Sequence, residues 1–261
     1  RESFEHFTSL VSAEGALVMK KGIPVTPRLQ EGTRLFTYTT GADEADFRAD
    51  GIEIRDGHLF FDWHYPAIEG RPTGTLHVEL GVPLLINVEN AVAAMAVAYL
   101  CGATLEELAA GVSSFRGVYR RFDRLIDDPR CVLIDDYAHH PTEVLCALQT
   151  GRTVAGGHNL YVVFQPHLFS RTKEFAQEFA QALSLAGSAY VLDIYPAREE
   201  PIEGVTSELI TGAGFSEVHY ASDATVAIDD IVTCASAGDI VMTVGAGDVT
   251  ALGERFLEAL T

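Results

Sequence analysis

Two short polar segments of the sequence bring acidic residues, histidines and an arginine close together. The first is DDYAHHPTEV at residues 135–144, and the second is QPHLFSRTKEF at residues 165–175. Each follows an apolar run of strand length, CVLID (131–135) and LYVVF (160–164). Ligands of open parallel sheets bind outside the carboxyl ends of the strands. Both segments are therefore candidate corners of a functional site.

The helix after the first segment is predicted to begin at Pro141, because proline suits the first turn of a helix. This start leaves four polar or aromatic residues on the preceding loop, namely Asp136, Tyr137, His139 and His140. A structural alternative stays open, in which the acidic residues neutralise the helix N-terminus and the histidines cap or pack.

In the second segment, Ser170 is predicted to cap a helix whose first turn carries Arg171. Similar polar residues at two strand ends favour a functional site over the structural alternative. Four further arginines lie close together in an otherwise acidic chain: Arg116, Arg120, Arg121 and Arg124. A guanidinium at a domain junction is suited to clamp a phosphate or a carboxylate. The alternative for this cluster is a solvated hinge, paired with the aspartates nearby.

Two motifs are rejected as sites. GAGDVT at 245–250 imitates a dinucleotide fingerprint, but eleven residues follow it, without a second strand or an acidic ribose partner about 20 residues on. His139 and His140 are adjacent, and no third ligand has the spacing of a zinc site. We therefore predict no metal bound by this chain.

Composition excludes several classes of protein. The 261 residues, 48% hydrophobic and 21% charged, describe a globular chain rather than a disordered one. With 37 acidic against 18 basic residues, the net charge of −19 argues against nucleic acid or an anionic membrane as a partner. The longest apolar stretch, residues 91–101, is too short to span a bilayer. Four widely spaced cysteines fit reduced thiols and a cytoplasmic protein.

The first eighty residues are predicted to be rich in strands. Five runs carry the pattern: GALVMKK, TRLFTYT, DFRADGIEI, HLFFDWHY and TGTLHVEL. The Asp-Gly pairs at 50–51 and 56–57 predict turns. A long helix follows, for which Asn87 is a candidate N-cap, while the amide of Asn90 is free to bind a purine edge. A second helix starts with Thr104 and Glu107 as a capping box.

From residue 122 onward, apolar runs alternate with helical segments. The runs are CVLID, LYVVF, AYVLDI, EVHY and DIVMTV. This alternation predicts an α/β domain with a mostly parallel, Rossmann-like sheet. We expect the two polar segments to lie at the carboxyl ends of neighbouring strands. The domain boundary is placed between residues 1–120 and residues 121–261.

The ordered set NVEN, GVYRRFD, DDYAHHPTEV, FQPHLFSRT and VGAGD resembles the Mur ligase family. The resemblance implies that residues 1–120 are the later part of a central ATPase domain and that residues 121–261 are the C-terminal domain. It implies ATP-dependent joining of L-alanine to UDP-N-acetylmuramate through an acyl phosphate, in peptidoglycan synthesis. No G-x-x-x-x-G-K-[ST] loop occurs in the chain, which also starts with arginine. We therefore expect a fragment that is inactive alone, with the ligands of Mg²⁺ upstream.

The resemblance also assigns roles to single residues. It matches Asn87 and Asn90 to an asparagine pair near adenine, Arg121 to a catalytic arginine at the ATP phosphates, and Asp136 to the carboxylate that holds the ribose. It also matches Tyr137 and His139 to positions around the substrate pocket, and Arg171 to an arginine that binds the alanine carboxylate. The sequence departs from the family at Ile86 and Leu168, where histidine and arginine are frequent.

Two other functions stay open. A ligase that attaches murein tripeptide to the same sugar during recycling shares the D-x-A-H-H-P corner, although Tyr137 and Glu143 fit the alanine enzyme better. A non-catalytic α/β module that keeps a nucleotide site without chemistry is the alternative from another class. An upstream phosphate loop with its lysine would favour an enzyme.

Overall fold

The computed structural model describes residues 1–55, 58–82, 85–127 and 131–260. The chain folds into two compact units, Arg1–Arg116 and Gly117–Thr261. We call them the first and the second unit and describe each by itself. None of the helices in the described ranges is long and apolar enough to cross a membrane.

The first unit is a five-stranded sheet covered by helices. Its strands follow one another across the sheet in chain order: β1 (Ala16–Lys20), β2 (Arg34–Thr39), β3 (Phe47–Arg55), β4 (His58–Tyr65) and β5 (Gly74–Leu80). β1, β2 and β3 are parallel, whereas β3, β4 and β5 are antiparallel. The helices are α1 (Glu2–Thr8), α2 (Leu85–Leu100) and α3 (Leu105–Ser114). The five predicted strands are thus confirmed.

The core of the first unit follows from two periodicities. In β4 alternate residues are buried, from Leu59 through Phe61 and Trp63 to Tyr65. They meet the apolar stripe of α2, which ends at the fully buried Tyr99. The rings of Trp63 and Tyr99 pack edge to face with centroids 5.8 Å apart, a favoured aromatic geometry.

Three predictions of local structure in this unit have different outcomes. The capping box of Thr104 and Glu107 at α3 is confirmed. The predicted turn at Asp50–Gly51 is wrong, because β3 continues through it with a bulge that Gly51 accommodates at a φ of 59°. The pair at 56–57 lies outside the described residues.

The second unit is a six-stranded sheet with helices between its strands. The strands are β6 (Asp123–Asp127), β7 (Cys131–Asp136), β8 (Leu160–Phe164), β9 (Ser188–Val191), β10 (Val218–Tyr220) and β11 (Asp239–Val244). The helices are α4 (Pro141–Ala155), α5 (Phe169–Leu183), α6 (Glu208–Thr211), α7 (Ala224–Cys234) and α8 (Leu252–Leu260). The strand order is β10-β9-β8-β11-β7-β6, and only the pairing of β6 with β7 is antiparallel. The predicted α/β class with a mostly parallel sheet is confirmed.

One expectation about this sheet is wrong. The strands before the two polar segments, β7 and β8, are not neighbours, because β11 pairs with both and lies between them. Every residue of β11 is buried, as expected for a central strand covered on both faces. The sequence order gives no sign that the last strand inserts in the middle. As a result, the loop that starts at Gly245 lies between the two polar segments.

Candidate functional site

Asp136 ends β7 and is almost completely buried. Its Oδ2 accepts a hydrogen bond from the Phe122 N–H, and its Oδ1 accepts one from the Ala138 N–H, both over 2.8 Å. Burial raises the pKa of this carboxyl group, although the two hydrogen bonds act in the opposite direction. Asp136 therefore orders the backbone on both sides of the strand end, and free lone pairs remain on its oxygens.

Arg121 and Tyr137 lie next to this carboxylate. The guanidinium carbon of Arg121 is 5.4 Å from the centroid of the Tyr137 ring, within the range of a cation–π contact. Arg121 is exposed, whereas Tyr137 is half-buried. The structure thus presents an accessible guanidinium, resting on an aromatic ring, at the carboxyl edge of the sheet.

The loop before α4 turns the His139 ring toward the second polar segment. Nδ1 of His139 lies 2.9 Å from the Tyr137 carbonyl oxygen, which fixes the ring orientation. The rings of His139 and His167 meet edge to face with centroids 5.7 Å apart. The Glu143 carboxylate accepts the N–H groups of His139 and His140 and so holds the loop against the first turn of α4. Although β11 separates their strands, the two polar segments therefore meet.

Arg171 completes this group from the first turn of α5. One of its terminal nitrogens lies 3.3 Å from Nδ1 of His167. The His167 ring also stacks on the ring of Tyr195, with centroids 5.8 Å apart. Burial lowers the pKa of His167, and the positive charge of Arg171 lowers it further. A neutral imidazole beside a guanidinium leaves this corner suited to accept a carboxylate.

The start of α5 differs from the prediction. Its N-cap is Leu168, at a φ of 75°, so the assignment of Ser170 as the cap is wrong. The Glu199 carboxylate, from the loop after β9, accepts the Ser170 N–H over 2.9 Å and also its hydroxyl group. Hydrogen bonds from Ser170 hold the pKa of Glu199 below its usual range. Sequence reasoning missed Glu199 and Tyr195, because their contacts with Ser170 and His167 come from a distant loop and have no local sequence signal.

Asn87 and Asn90 belong to the first unit. Helix α2 begins at Leu85, so Asn87 lies within the first turn and the prediction that it caps the helix is wrong. The Asn90 amide donates to Oδ1 of Asn87 over 3.2 Å, and Asn90 is exposed. The pair forms a small amide surface on one side of the helix start.

Three of the four clustered arginines have distinct environments. Arg116 donates to the carbonyls of Ser113 and Phe115 and so closes the end of α3 in the first unit. Arg120 is largely buried and pairs with Asp135, while Arg121 is exposed. The interpretation of this cluster as one solvated hinge does not describe Arg120.

The lowered pKa of His167 has a measurable consequence. We expect an NMR titration to give His167 a pKa below the usual value of about 6.5, and Arg171→Met to raise it by removal of a neighbouring positive charge. Since the pKa is lower in the folded state, the stability from neutral His167 is present above about pH 6.5 and lost as the pH falls through the folded-state pKa. Arg152→Met, an exposed arginine of α4, is the control. An unchanged pKa in Arg171→Met would contradict the contact.

Comparison with known proteins agrees with this fold. Residues 120–247 match the model of the glutamate ligase domain of Mur ligases. A parallel α/β unit with arginine, histidine and carboxylate groups at the carboxyl ends of its strands is thus the C-terminal ligase domain of that class. The chain belongs to the Mur ligase family.

Two similar curated proteins carry the same name. The chain is 49% identical over 255 residues to the UDP-N-acetylmuramate–L-alanine ligase of Porphyromonas gingivalis, covering 97% of the chain and 54% of that protein. It is 45% identical to the ligase of the same name from Parabacteroides distasonis, again covering 54% of it. The chain therefore spans about half the length of these relatives.

Solved structures agree at the level of the fold. The UDP-N-acetylmuramate-alanine ligase of Thermotoga maritima is 26% identical, with a TM-score of 0.66, over 85% of this chain and 47% of that one. A murein peptide ligase from Psychrobacter arcticus is 23% identical, with a TM-score of 0.67, over 99% of this chain and 54% of that one. At this identity the second match supports the fold alone.

Proposed function

We propose that this chain is part of an ATP-dependent ligase that joins L-alanine to UDP-N-acetylmuramate through an acyl phosphate. In this proposal residues 1–120 are the later part of the central ATPase domain and residues 121–261 the C-terminal domain. The observation that carries it is the meeting of His139, His167 and Arg171 beside the exposed Arg121, in a chain so similar to alanine ligases.

The residues of this chain would bind and orient the reactants. Arg121 lies exposed on Tyr137, so its guanidinium can meet the charge that develops on the transferring phosphoryl group. Arg171 would hold the alanine carboxylate beside His167, which keeps the amine in position to attack the acyl phosphate. Asp136 would accept a ribose hydroxyl through its remaining lone pairs, and the Asn87–Asn90 surface would bind adenine.

The described residues of this chain fit ATP but do not form a site for Mg²⁺. The exposed guanidinium of Arg121 has the donors that a phosphate of ATP needs. In the described ranges no group of three or more His, Cys, Asp or Glu residues could hold a metal ion. No residue here is therefore proposed as a ligand of Mg²⁺, which would neutralise phosphate charge when bound. In the proposal its ligands belong to the part of the ligase outside this chain.

Product analysis separates this function from its alternatives. The complete ligase is incubated with ATP, UDP-N-acetylmuramate and either L-alanine or murein tripeptide, and products are identified by mass spectrometry. We expect UDP-N-acetylmuramoyl-L-alanine, with little tripeptide product. Preference for the tripeptide would identify the recycling enzyme. The absence of both products, with ATP bound, would favour a non-catalytic nucleotide-binding module.

The 261-residue chain alone should be inactive. Its sequence has no G-x-x-x-x-G-K-[ST] loop to hold the terminal phosphates of ATP. We expect no phosphate release from ATP above background and no ligated product, under conditions in which the complete ligase turns over. ATP hydrolysis by the purified chain at the rate of the complete ligase would contradict the assignment of residues 1–120.

A further inference from the structure

Arg120 has the opposite environment from its exposed neighbour Arg121. Its side chain is 11% exposed, and Nε donates to Oδ2 of the fully buried Asp135 over 2.8 Å. One terminal nitrogen donates to the Gly245 carbonyl over 2.6 Å, and the other donates to the Gly247 carbonyl over 3.3 Å. A single guanidinium thus connects the segment before β6, the end of β7 and the loop after β11.

Both oxygens of the partner carboxylate accept hydrogen bonds. Besides Arg120, Asp135 accepts the hydroxyl of Thr243 over 2.6 Å and that of Thr250 over 3.0 Å. Removal of either partner of such an ion pair is costly, because the remaining partner would be an uncompensated charge in the interior. The Arg120 guanidinium is therefore held in place by these contacts, with its carbon 5.0 Å from the centroid of the Tyr137 ring.

The loop with the motif GAGDVT acts as an acceptor surface for this guanidinium. A phosphate-binding loop presents its N–H groups to the ligand, whereas here Gly245 and Gly247 direct their carbonyls toward Arg120. Gly245 has a φ of 147°, and a Cβ at this position would lie 2.6 Å from the Gln165 carbonyl oxygen. The glycines thus allow a close approach to the start of the second polar segment.

The backbone on both sides of Arg121 is held in an unfavourable conformation. Arg120 has a φ of 58° and Phe122 a φ of 52°, a region that residues other than glycine rarely adopt. The Tyr137 N–H donates to the Arg120 carbonyl over 2.7 Å. Asp136 accepts the Phe122 N–H over 2.8 Å. The two consecutive aspartates therefore secure the residues that flank Arg121 and leave its side chain exposed.

We propose that Arg120 is a positioning residue, which holds Arg121 at the carboxyl edge of the sheet through Asp135 and the carbonyls of Gly245 and Gly247. The catalytic role of Arg121 in this proposal rests on the proposed function. The contacts by which Arg120 holds the segment do not depend on that function. Without these contacts the segment relaxes toward ordinary backbone angles and displaces the Arg121 guanidinium. A displacement of about 1 Å can lower a rate by about 100-fold.

A double-mutant cycle in the complete ligase tests whether Arg120 acts through Arg121. We expect Arg120→Met to lower kcat by roughly 10- to 100-fold at temperatures well below its Tm. In an Arg121→Met background the same substitution should leave kcat unchanged, because the residue that it positions is absent. Arg120→Lys keeps a charge opposite Asp135 but cannot reach both carbonyls, and it replaces Arg120→Met if that variant does not fold. Arg152→Met is the control.

Hydrogen exchange in the 261-residue chain tests the same proposal without any activity. We expect the N–H groups of Arg121, Phe122 and Tyr137 to exchange at least about tenfold faster in the Arg120 variant than in the unmodified chain. In the Arg120 variant, exchange in α4 should not change. In the Arg121→Met variant, exchange at residues 121, 122 and 137 should match that of the unmodified chain. Failure of the proposed function thus appears as missing ligated product, while this exchange pattern stays intact.

Any one of three results would overturn the proposal. The first is unchanged exchange at residues 121, 122 and 137 when Arg120 is replaced. The second is a decrease in kcat that persists at full size in the Arg121→Met background, since Arg120 would then act independently. The third is a decrease in Tm with normal kcat, which would assign Arg120 to stability alone.

Discussion

Arg121→Ala in the complete ligase is expected to lower kcat by two or more orders of magnitude. The exposed guanidinium is proposed to meet charge that develops on the transferring phosphoryl group. Interactions made only in the transition state act on kcat, and loss of one preorganised donor of this kind costs about 100- to 1,000-fold. Steady-state kinetics at saturating ATP, L-alanine and UDP-N-acetylmuramate measures the effect.

The control for this variant is Arg152→Ala, since Arg152 is an exposed arginine of α4. We expect its kcat to match that of the unmodified enzyme. Arg121→Lys should recover part of the rate, because the charge remains but the planar fork is lost. A kcat for Arg121→Ala within about threefold of normal would remove this residue from the proposed phosphoryl transfer.

Arg171→Ala should act mainly on the KM for L-alanine. The alanine carboxylate keeps its charge through the reaction, so an arginine that holds it stabilises ground state and transition state alike. Loss of a charged hydrogen bond of about 1.5–3 kcal/mol raises KM by roughly ten- to a hundredfold. Leu168, at the N-cap of α5, offers no substitute guanidinium.

Varying L-alanine at saturating ATP gives this KM, and Arg152→Ala again serves as the control. We expect the KM for ATP in Arg171→Ala to stay close to normal, because Arg171 bonds to His167 in the second polar segment. An unchanged KM for L-alanine would place the carboxylate elsewhere. A large decrease in kcat with normal KM would mean that Arg171 acts on the transition state.

The fold could be predicted from the sequence wherever local patterns decide it. The alternation in HLFFDWHY and the strand–helix alternation after residue 122 depend on which faces are buried, and the structure has the expected elements. The insertion of β11 between β7 and β8 depends on packing among distant segments, and no local pattern encodes it. Gly51 was assigned to a turn because a bulge and a turn need the same backbone conformation.

The sequence predicts which residues form the candidate site better than it predicts what each of them contacts. Asp136, His139 and Arg171 follow strand ends in the sequence, and the structure brings His139 and Arg171 to the same imidazole, His167. The contrast between Arg120 and Arg121 could not be predicted, since neighbouring arginines are equivalent until the backbone directs one inward. Glu199 reaches α5 from another loop, so its contribution is visible only in three dimensions.

The most direct test is the structure of the complete ligase with UDP-N-acetylmuramate, a non-hydrolysable ATP analogue and L-alanine. We expect a terminal phosphate oxygen within about 3 Å of the Arg121 guanidinium and the alanine carboxylate within about 3 Å of Arg171. Both contacts are expected at the carboxyl edge of the same sheet. A complex in which Arg121 faces solvent and alanine lies away from Arg171 would contradict the central claim that this edge is the catalytic site.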